Sequence, residues 1–397
     1  MAHFPTLVKI IASFIYWTRQ EDVKKSRARF IVFTGSSGKT TTRYFIDYTL
    51  KQLGYNSISP QAGYTNEIGI VLASLGISDV SLKKISTWKA IFYNLIPKDS
   101  FVCIELGADF RTDIPWFLKR FKANVVVLTD SDQRHWFGGR HNIEKDRQAL
   151  FETLTPQDAF ILSSDRFDEL PDAAKLKPQI FKINPQEKFT KKIEIFDLFK
   201  DYQVSIPYPK KEYLFQFSRR LFDPQISALG LTLGVVDYLR RLPDLKEDFF
   251  MDYVFPEERL EIKRLGLTST IIADTYKAIP NCTEWFLKNA DQIQASKKIL
   301  VLSEMKPDVI NVNLYYGEIL NLLPNFSKVY FVGSDKVFNI LKKTSTPIEK
   351  INLENNYDDL CQKILGEADE GCVVFLKGAQ SFGFNNIVRK LSSSGNR

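Results

Sequence analysis

Short apolar runs rich in β-branched and aromatic residues alternate along this chain with segments whose apolar positions recur at helical spacing. "FIVFT" (30–34) is the first such run, and a helical pattern follows from Lys39 to about Leu53. The change of period then repeats: "FVCIE" (101–105), a helix near 112–121, "NVVVL" (124–128), a helix near 142–153, and "AFILS" (159–163). Strands that alternate with helices in this way predict a largely parallel sheet covered on both faces. Residues 190–222 are mixed and hairpin-like, a helix is expected near 225–241, and the polar "RRLPDLKED" follows.

A second alternation starts near residue 252. It runs through "STIIA" (269–273), a helix from 281, "KILVLS" (298–303), a helix near 313–323, "KVYFV" (328–332), "CVVFLK" (372–377) and a last helix near 383–394. The pattern predicts an α/β chain in three parts: an arm (1–28), a larger α/β domain (29–251) and a smaller one (252–397). In the arm, Leu7, Ile10, Ile11, Phe14, Ile15 and Trp17 keep helical spacing, but Lys9 interrupts the run and it is too short to span a bilayer. No small-residue cleavage site follows, which argues against a signal peptide. Two readings fit: a helix docked on the protein's own body, or a basic helix lying on a membrane surface.

Composition narrows the chemistry. Apolar content of 44% and charged content of 25% are those of an ordinary globular protein. Cys103, Cys282, Cys361 and Cys372 are far apart and form no C-x-x-C pair, which argues against disulfide and zinc frameworks and for a reducing compartment. Of the net charge of +7, residues 1–29 supply most, through Lys9, Arg19, Lys24, Lys25, Arg27 and Arg29 against Glu21 and Asp22. The remainder is nearly balanced, so a nucleic-acid groove is not expected.

"GSSGKTTT" (35–42) sits between a strand and a helix, the context that a phosphate-binding loop requires. Backbone N–H groups of Gly35, Ser36, Ser37, Gly38, Lys39, Thr40 and Thr41 could face phosphate oxygens, with Lys39 on the terminal phosphates and the Thr40 hydroxyl on Mg²⁺. Phe33 stands where the commoner, longer loop has its first glycine.

The short G-x-x-G-K-T-T loop and the segments after it resemble the Mur ligases, ATP-dependent peptide ligases of cell-wall precursor assembly. Within that family the chain is most similar to the type that adds D-Ala-D-Ala to the muramoyl tripeptide. The resemblance rests on "GYTNEIGI" (63–70), "VCIELGADFRTDIPWFL" (102–118), "VVVLTDSDQRHWFGG" (125–139), "EERLEIKR" (257–264), "IIADTYKAIP" (271–280), "VLSEM" (301–305) and "VVFLKGAQSFGFNNIV" (373–388), in the family's order. It implies a P-loop central ATPase domain with a mainly parallel sheet, followed by a smaller Rossmann-like domain. It also implies ATP and Mg²⁺ as cofactors, cytoplasmic location, and carboxylate and amine substrates.

The roles implied residue by residue are these. Lys39 and Thr40 hold phosphates and Mg²⁺, Glu105 is a metal ligand, and His135 lies near the second metal. Arg259 crosses from the second domain to the γ-phosphate, while Asn66, Asp274 and Tyr276 belong to the nucleotide site. Lys377 and Ser381 face the incoming amine.

Three departures from the pattern accompany the resemblance. Twenty-eight residues before the loop strand are too few for the family's N-terminal substrate domain, so either the substrate lacks the handle that domain grips or another chain supplies it. Arg147 stands where the family has a carbamylated lysine and cannot form a carbamate, with Glu144 spaced to offset its charge. "FDPQISAL" (222–229) and "YKAIP" (276–280) lack the usual asparagines. These departures leave a second expectation, a Mur-like nucleotide-binding scaffold with reduced catalysis, beside that of an active ligase.

Overall fold

The structure is a computed structural model, and it describes all residues except 1–4, 61–65, 78–84, 95, 107–112, 130–147, 164–177, 184–192, 195–197, 209–210, 306–311, 353–356 and 395–397. Strands β1 (Arg29–Thr34), β2 (Ser57–Ile58), β3 (Phe101–Glu105), β4 (Ala123–Leu128), β5 (Ala159–Ser163) and β6 (Gln179–Ile183) form one sheet. Its order is β2-β3-β1-β4-β5-β6, with every neighbouring pair parallel.

Alternate residues of each strand enter different cores, as the pleat dictates. Phe30, Val32, Val102, Ile104 and Val126 pack with α1 (Pro5–Ser26), α3 (Glu67–Ser74), α4 (Ile85–Tyr93) and α5 (Asp113–Leu118). Ile31, Phe33, Cys103, Val125 and Val127 pack with α2 (Lys39–Gln52) and α6 (Asp223–Tyr238). Burial on both faces is why these strands read as continuous apolar runs.

The short β7 (Ile193–Glu194) is followed by a hairpin of β8 (Tyr202–Tyr208) and β9 (Lys211–Phe217), where the sequence predicts one. A second six-stranded sheet contains β10 (Glu261–Leu265), β11 (Ser269–Asp274), β13 (Lys297–Ser303), β14 (Lys328–Val332), β15 (Ile348–Lys350) and β16 (Cys372–Lys377). Its order is β10-β11-β16-β13-β14-β15, and only the edge strand β10 runs antiparallel. Helices α7 (Pro280–Gln292) and α8 (Val312–Leu320) cover one face. The other face is covered by α10 (Tyr357–Glu367) and α11 (Phe384–Ser394), while α9 (Asp335–Leu341) joins the α7 side. The two halves of the chain are tied by β12 (Ile293–Gln294), which pairs with β7.

Both limits of α6 differ from the sequence reading, and α5 and α8 each end three residues early, at Leu118 and Leu320. α6 starts at Asp223, earlier than 225, because the Gln225 side chain accepts the Phe222 N–H at 3.1 Å and Pro224 suits a first turn. It ends at Tyr238, short of 241, where Arg240 turns left-handed at φ 58. The arm is a 22-residue helix docked on the body. Ala12, Ile15 and Val23 enter the core, the Tyr16 hydroxyl donates to Arg120 O at 2.9 Å, and Lys9 pairs with Glu67 at 3.7 Å.

Candidate functional site

The loop after β1 needs its glycines. Gly35 (φ 142) and Gly38 (φ 79) both hold backbone that L side chains rarely adopt, and Gly38 is the residue at which α2 begins. The loop is braced from the next strand, where Thr129 donates its hydroxyl to Ser37 O at 2.6 Å. Ser36, Ser37 and Lys39 are half-buried, and Lys39 Nζ donates to Gly35 O across the loop. The first turn of α2 thus starts at the carboxyl end of β1, between β3 and β4, where open α/β sheets bind ligands and a helix N-terminus suits phosphate.

Glu105 ends β3 beside the loop strand, in register with Phe33. The Thr40 hydroxyl donates to Glu105 Oε2 at 3.1 Å, and Arg259 Nη2 donates to Thr40 Oγ1 at 3.2 Å. Arg259 arrives from the second half of the chain. It lies between two left-handed non-glycine residues, Glu258 (φ 63) and Leu260 (φ 51), and its guanidinium stacks over Tyr276 at 3.8 Å. Two departures from ordinary backbone, one on each side of Arg259, are the sort of strain that accompanies a side chain aimed at a site. Thr275 N donates to Glu258 O at 3.1 Å, which fastens this turn to the end of β11.

Arg43 is a member of the site that the motif does not reveal. It is buried, its Nε donates to Glu105 Oε1 at 2.7 Å, and Nη1 donates to Pro60 O at 2.6 Å and to the Ser59 hydroxyl. Its only signal in the sequence is a charge one helical turn beyond Thr40, on the same face. Burial raises the Glu105 carboxyl, but Arg43, Lys39 and Arg259 outweigh it and hold the group below the ordinary glutamate range. Burial works against the Arg43 charge too, and Glu105 reverses the sign and raises it. Glu105 is therefore an anion among Arg43, Lys39 and Arg259, with a surplus of positive charge around it.

Asp274 and Lys377 stand opposite each other in register at the ends of β11 and β16. Lys377 is fully buried; its Nζ donates to Asp274 Oδ2 at 2.5 Å and to Lys277 O at 3.0 Å. Gly378 follows, and a Cβ there would lie 2.2 Å from the Phe384 ring, so only glycine fits. Ser381 is exposed on the short turn Gln380–Phe382. Asn66 caps α3, its side chain accepting from Gly69 N at 3.0 Å, and Thr41 is half-buried in the first turn of α2. His135, Glu144 and Arg147 lie outside the described residues. Among those described, no cluster of three or more His, Cys, Asp or Glu side chains is placed to hold a metal. The oxygen donors that meet are Thr40 Oγ1 and Glu105 Oε2.

Residues 33–218 match the Mur ligase middle domain. Over 378 residues the chain is 21% identical to the UDP-N-acetylmuramoyl-tripeptide–D-alanyl-D-alanine ligase of Rickettsia prowazekii, covering 92% of this chain and 78% of that one. Its fold is similar to that of the MurF ligase from Thermotoga maritima, solved in complex with ADP, with a TM-score of 0.78, 15% identity, and coverage of 100% of this chain and 85% of that one. It is also similar to the folylpolyglutamate synthase of Mycobacterium tuberculosis, solved with ADP and AMPPCP, with a TM-score of 0.60, 14% identity, and coverage of 96% and 95%.

Proposed function

We propose that this chain, which carries a Mur ligase middle domain, is an ATP-dependent ligase that forms an amide bond on a cell-wall or related peptide precursor through an acyl phosphate. The observation that carries the reading is the Arg259–Thr40–Glu105 contact, which brings a cation from the second half of the chain onto the loop. An arginine brought to the phosphates from outside the loop serves phosphoryl transfer in general; here it comes from beside a second sheet, as a ligase that closes over two substrates requires. On this reading the arm is 1–28, the ATP-binding domain 29–251 and the closing domain 252–397, with a hinge near 250–257. The protein works in the cytoplasm, with a peripheral contact between its basic arm and an anionic membrane face.

The chemistry needs no nucleophilic side chain. A substrate carboxylate oxygen bonds to the γ-phosphorus of ATP as the β–γ bridging bond breaks, leaving ADP. An amine then bonds to the acyl carbon, phosphate departs with the carbon–oxygen electron pair, and the nitrogen loses a proton. Lys39 and the α2 N-terminus hold the phosphate oxygens, and Arg259 meets the charge on the transferred group. Thr40 and Glu105 offer hard oxygens of the kind Mg²⁺ takes, already 3.1 Å apart, so the residues present fit that ion. When bound, it would neutralise phosphate charge. Arg43 keeps Glu105 ionised and turned toward Thr40. Asp274 and Tyr276 are proposed as the nucleotide's contacts from the closing domain, with His135 and Arg147 nearer the reacting groups.

Phosphate release from ATP, measured with paired candidate carboxylates and amines, tests the proposal. Release that requires both partners is expected. Release independent of either, or none with any pair, would overturn it in favour of a motor or a scaffold.

A further inference from the structure

Large apolar side chains are exposed at few places among the described residues, and most of them lie on two helices. Leu214, Val254 and Leu267 stand apart; Leu7, Ile10, Phe14 and Trp17 lie on α1, and Ile85, Trp88, Phe92 and Tyr93 on α4. Scattered exposed apolar residues need no explanation, but a gathered group does. The α1 residues follow three-four-three spacing and so form one stripe. Ile85, Trp88 and Phe92 do the same on α4. Each helix also sends residues into the same core: Ala12, Ile15 and Val23 from the opposite face of α1, and Ile91 from beside the stripe on α4. Both stripes therefore look away from the same side of the first sheet. Arg19 joins them, its guanidinium donating to Ile91 O and, at 2.7 Å, to Asn94 O, two residues beyond Trp17.

The charge around the stripes has one dominant sign. Lys24, Lys25, Arg27, Lys89 and Lys98 are exposed. The nearby acids are already held, Glu21 by Lys24, Asp22 by Arg19 and Asp99 by Arg27. Lys25, Lys89 and Lys98 have no carboxylate partner among the described residues. No described helix is long and apolar enough to cross a membrane. Trp17, Trp88 and Tyr93 are the side-chain types that settle at the boundary between headgroups and acyl chains.

We propose that α1 and α4 together form a docking face that seats on the headgroup layer of an anionic phospholipid bilayer. The proposal rests on the peripheral contact included in the function above and adds α4 to it, so the contact is a folded two-helix surface instead of the arm alone. Charge decides the occupant. A second copy seated on this face would bring lysines against lysines, whereas anionic lipid supplies the opposite sign while its acyl boundary takes the apolar stripe.

The test is co-sedimentation of the full chain with vesicles of phosphatidylglycerol and phosphatidylcholine, against phosphatidylcholine alone. Wild type should bind the anionic vesicles and lose binding as salt rises. Trp88→Ser/Phe92→Ser on α4 and Phe14→Ser/Trp17→Ser on α1 should each weaken binding roughly tenfold or more. Trp17 is 68% exposed and Trp88 36%, so each pair should lower the melting temperature only modestly, and ATP affinity in solution should not change. Wild type that ignores anionic vesicles removes the peripheral contact and this proposal with it, leaving the ligase reading untouched. Binding that the α1 pair weakens and the α4 pair does not would keep the peripheral contact and overturn the two-helix face. Dimerisation that Trp88→Ser/Phe92→Ser abolishes, without vesicle binding, would make a second copy the occupant and overturn it too.

Discussion

Each of the two sheets ends in a buried ion pair set where parallel strands finish, and the two pairs are balanced differently. In the second sheet Lys377 and Asp274 meet one to one, and Lys277 O takes another of the lysine's protons. In the first, Glu105 alone faces Arg43, with Lys39 and Arg259 close enough to act on its charge. A balanced pair is neutral within the protein and holds β11 against β16, engaging Asp274 through Oδ2 and leaving Oδ1 for the nucleotide proposed there. A carboxylate outnumbered by cations leaves positive charge that polyanionic phosphate can complete. The difference separates what the fold needs from what the ligand needs, and the substitutions below weigh one against the other.

The largest effect is expected from Lys377→Met. Removing the cation strands Asp274, which has no other ion pair among the described residues, and breaking a buried pair this way costs about 3–5 kcal/mol. The urea midpoint should fall sharply. Adding Asp274→Asn should recover a good part of the loss, because the uncompensated charge is then gone. A Lys377→Met protein as stable as wild type would show that this pair is not the structural one.

Lys39→Ala comes next and should act on the other axis. Losing one charged donor to phosphate weakens binding by roughly 100-fold, about 2–3 kcal/mol. Thermal unfolding without ligand should barely move, since the residue is half-buried on the loop. Calorimetric titration with ATP and Mg²⁺ reads the first quantity and a melting curve the second; unchanged affinity in a folded variant would remove the loop from the function.

Arg43→Met tests whether the crowding at Glu105 is real. Glu105 keeps Lys39 and Arg259 near it, so the stability cost should be smaller than for Lys377→Met, about 1–2 kcal/mol, even though Arg43 is nearly as buried. ATP affinity should fall by several-fold as Glu105 loses its orientation. A stability loss equal to that of Lys377→Met would mean that the first-sheet pair is as self-contained as the second, and the contrast would collapse.

The sequence made one side of this contrast easier to see than the other. The buried strands were legible because burial on both faces writes a continuous apolar run; "FVCIE" and "CVVFLK" coincide with β3 and β16. The edge strands β10 ("EIKRL") and β15 ("IEK") were not, since their alternating polar residues serve a solvated side. α3 was missed because it is buried all round and shows no helical period. Lys39 and Thr40 came from a local motif. The Lys377–Asp274 pair is set by the register of strands 103 residues apart, for which no local pattern exists. Arg43 fell between the two cases: its helix was expected, but nothing in the chain says that Glu105 would be its partner.

The smallest effect concerns pH, and it sets two glutamates beside Arg259 against each other. Glu105 titrates below the ordinary glutamate value of 4.5, because Arg43 and its neighbours overcome burial. Its contribution to stability is present above 4.5 and is lost as pH falls toward the lower folded value. Glu258 titrates above 4.5, because burial dominates and Glu261 adds repulsion, despite a hydrogen bond to Asn385. Its contribution runs the other way: present below 4.5, and lost as pH rises through the higher folded value. In the wild type the two partly cancel on acidification. Glu105→Gln should therefore flatten the fall in stability toward acid, and Glu258→Gln should steepen it and raise stability slightly at neutral pH. Urea midpoints measured from neutrality down through 4.5 read both slopes. If the two variants shift the profile in the same direction, the carboxylates share one environment, and Glu105 is not the ion-paired member that the geometry at Thr40 and Arg43 makes it.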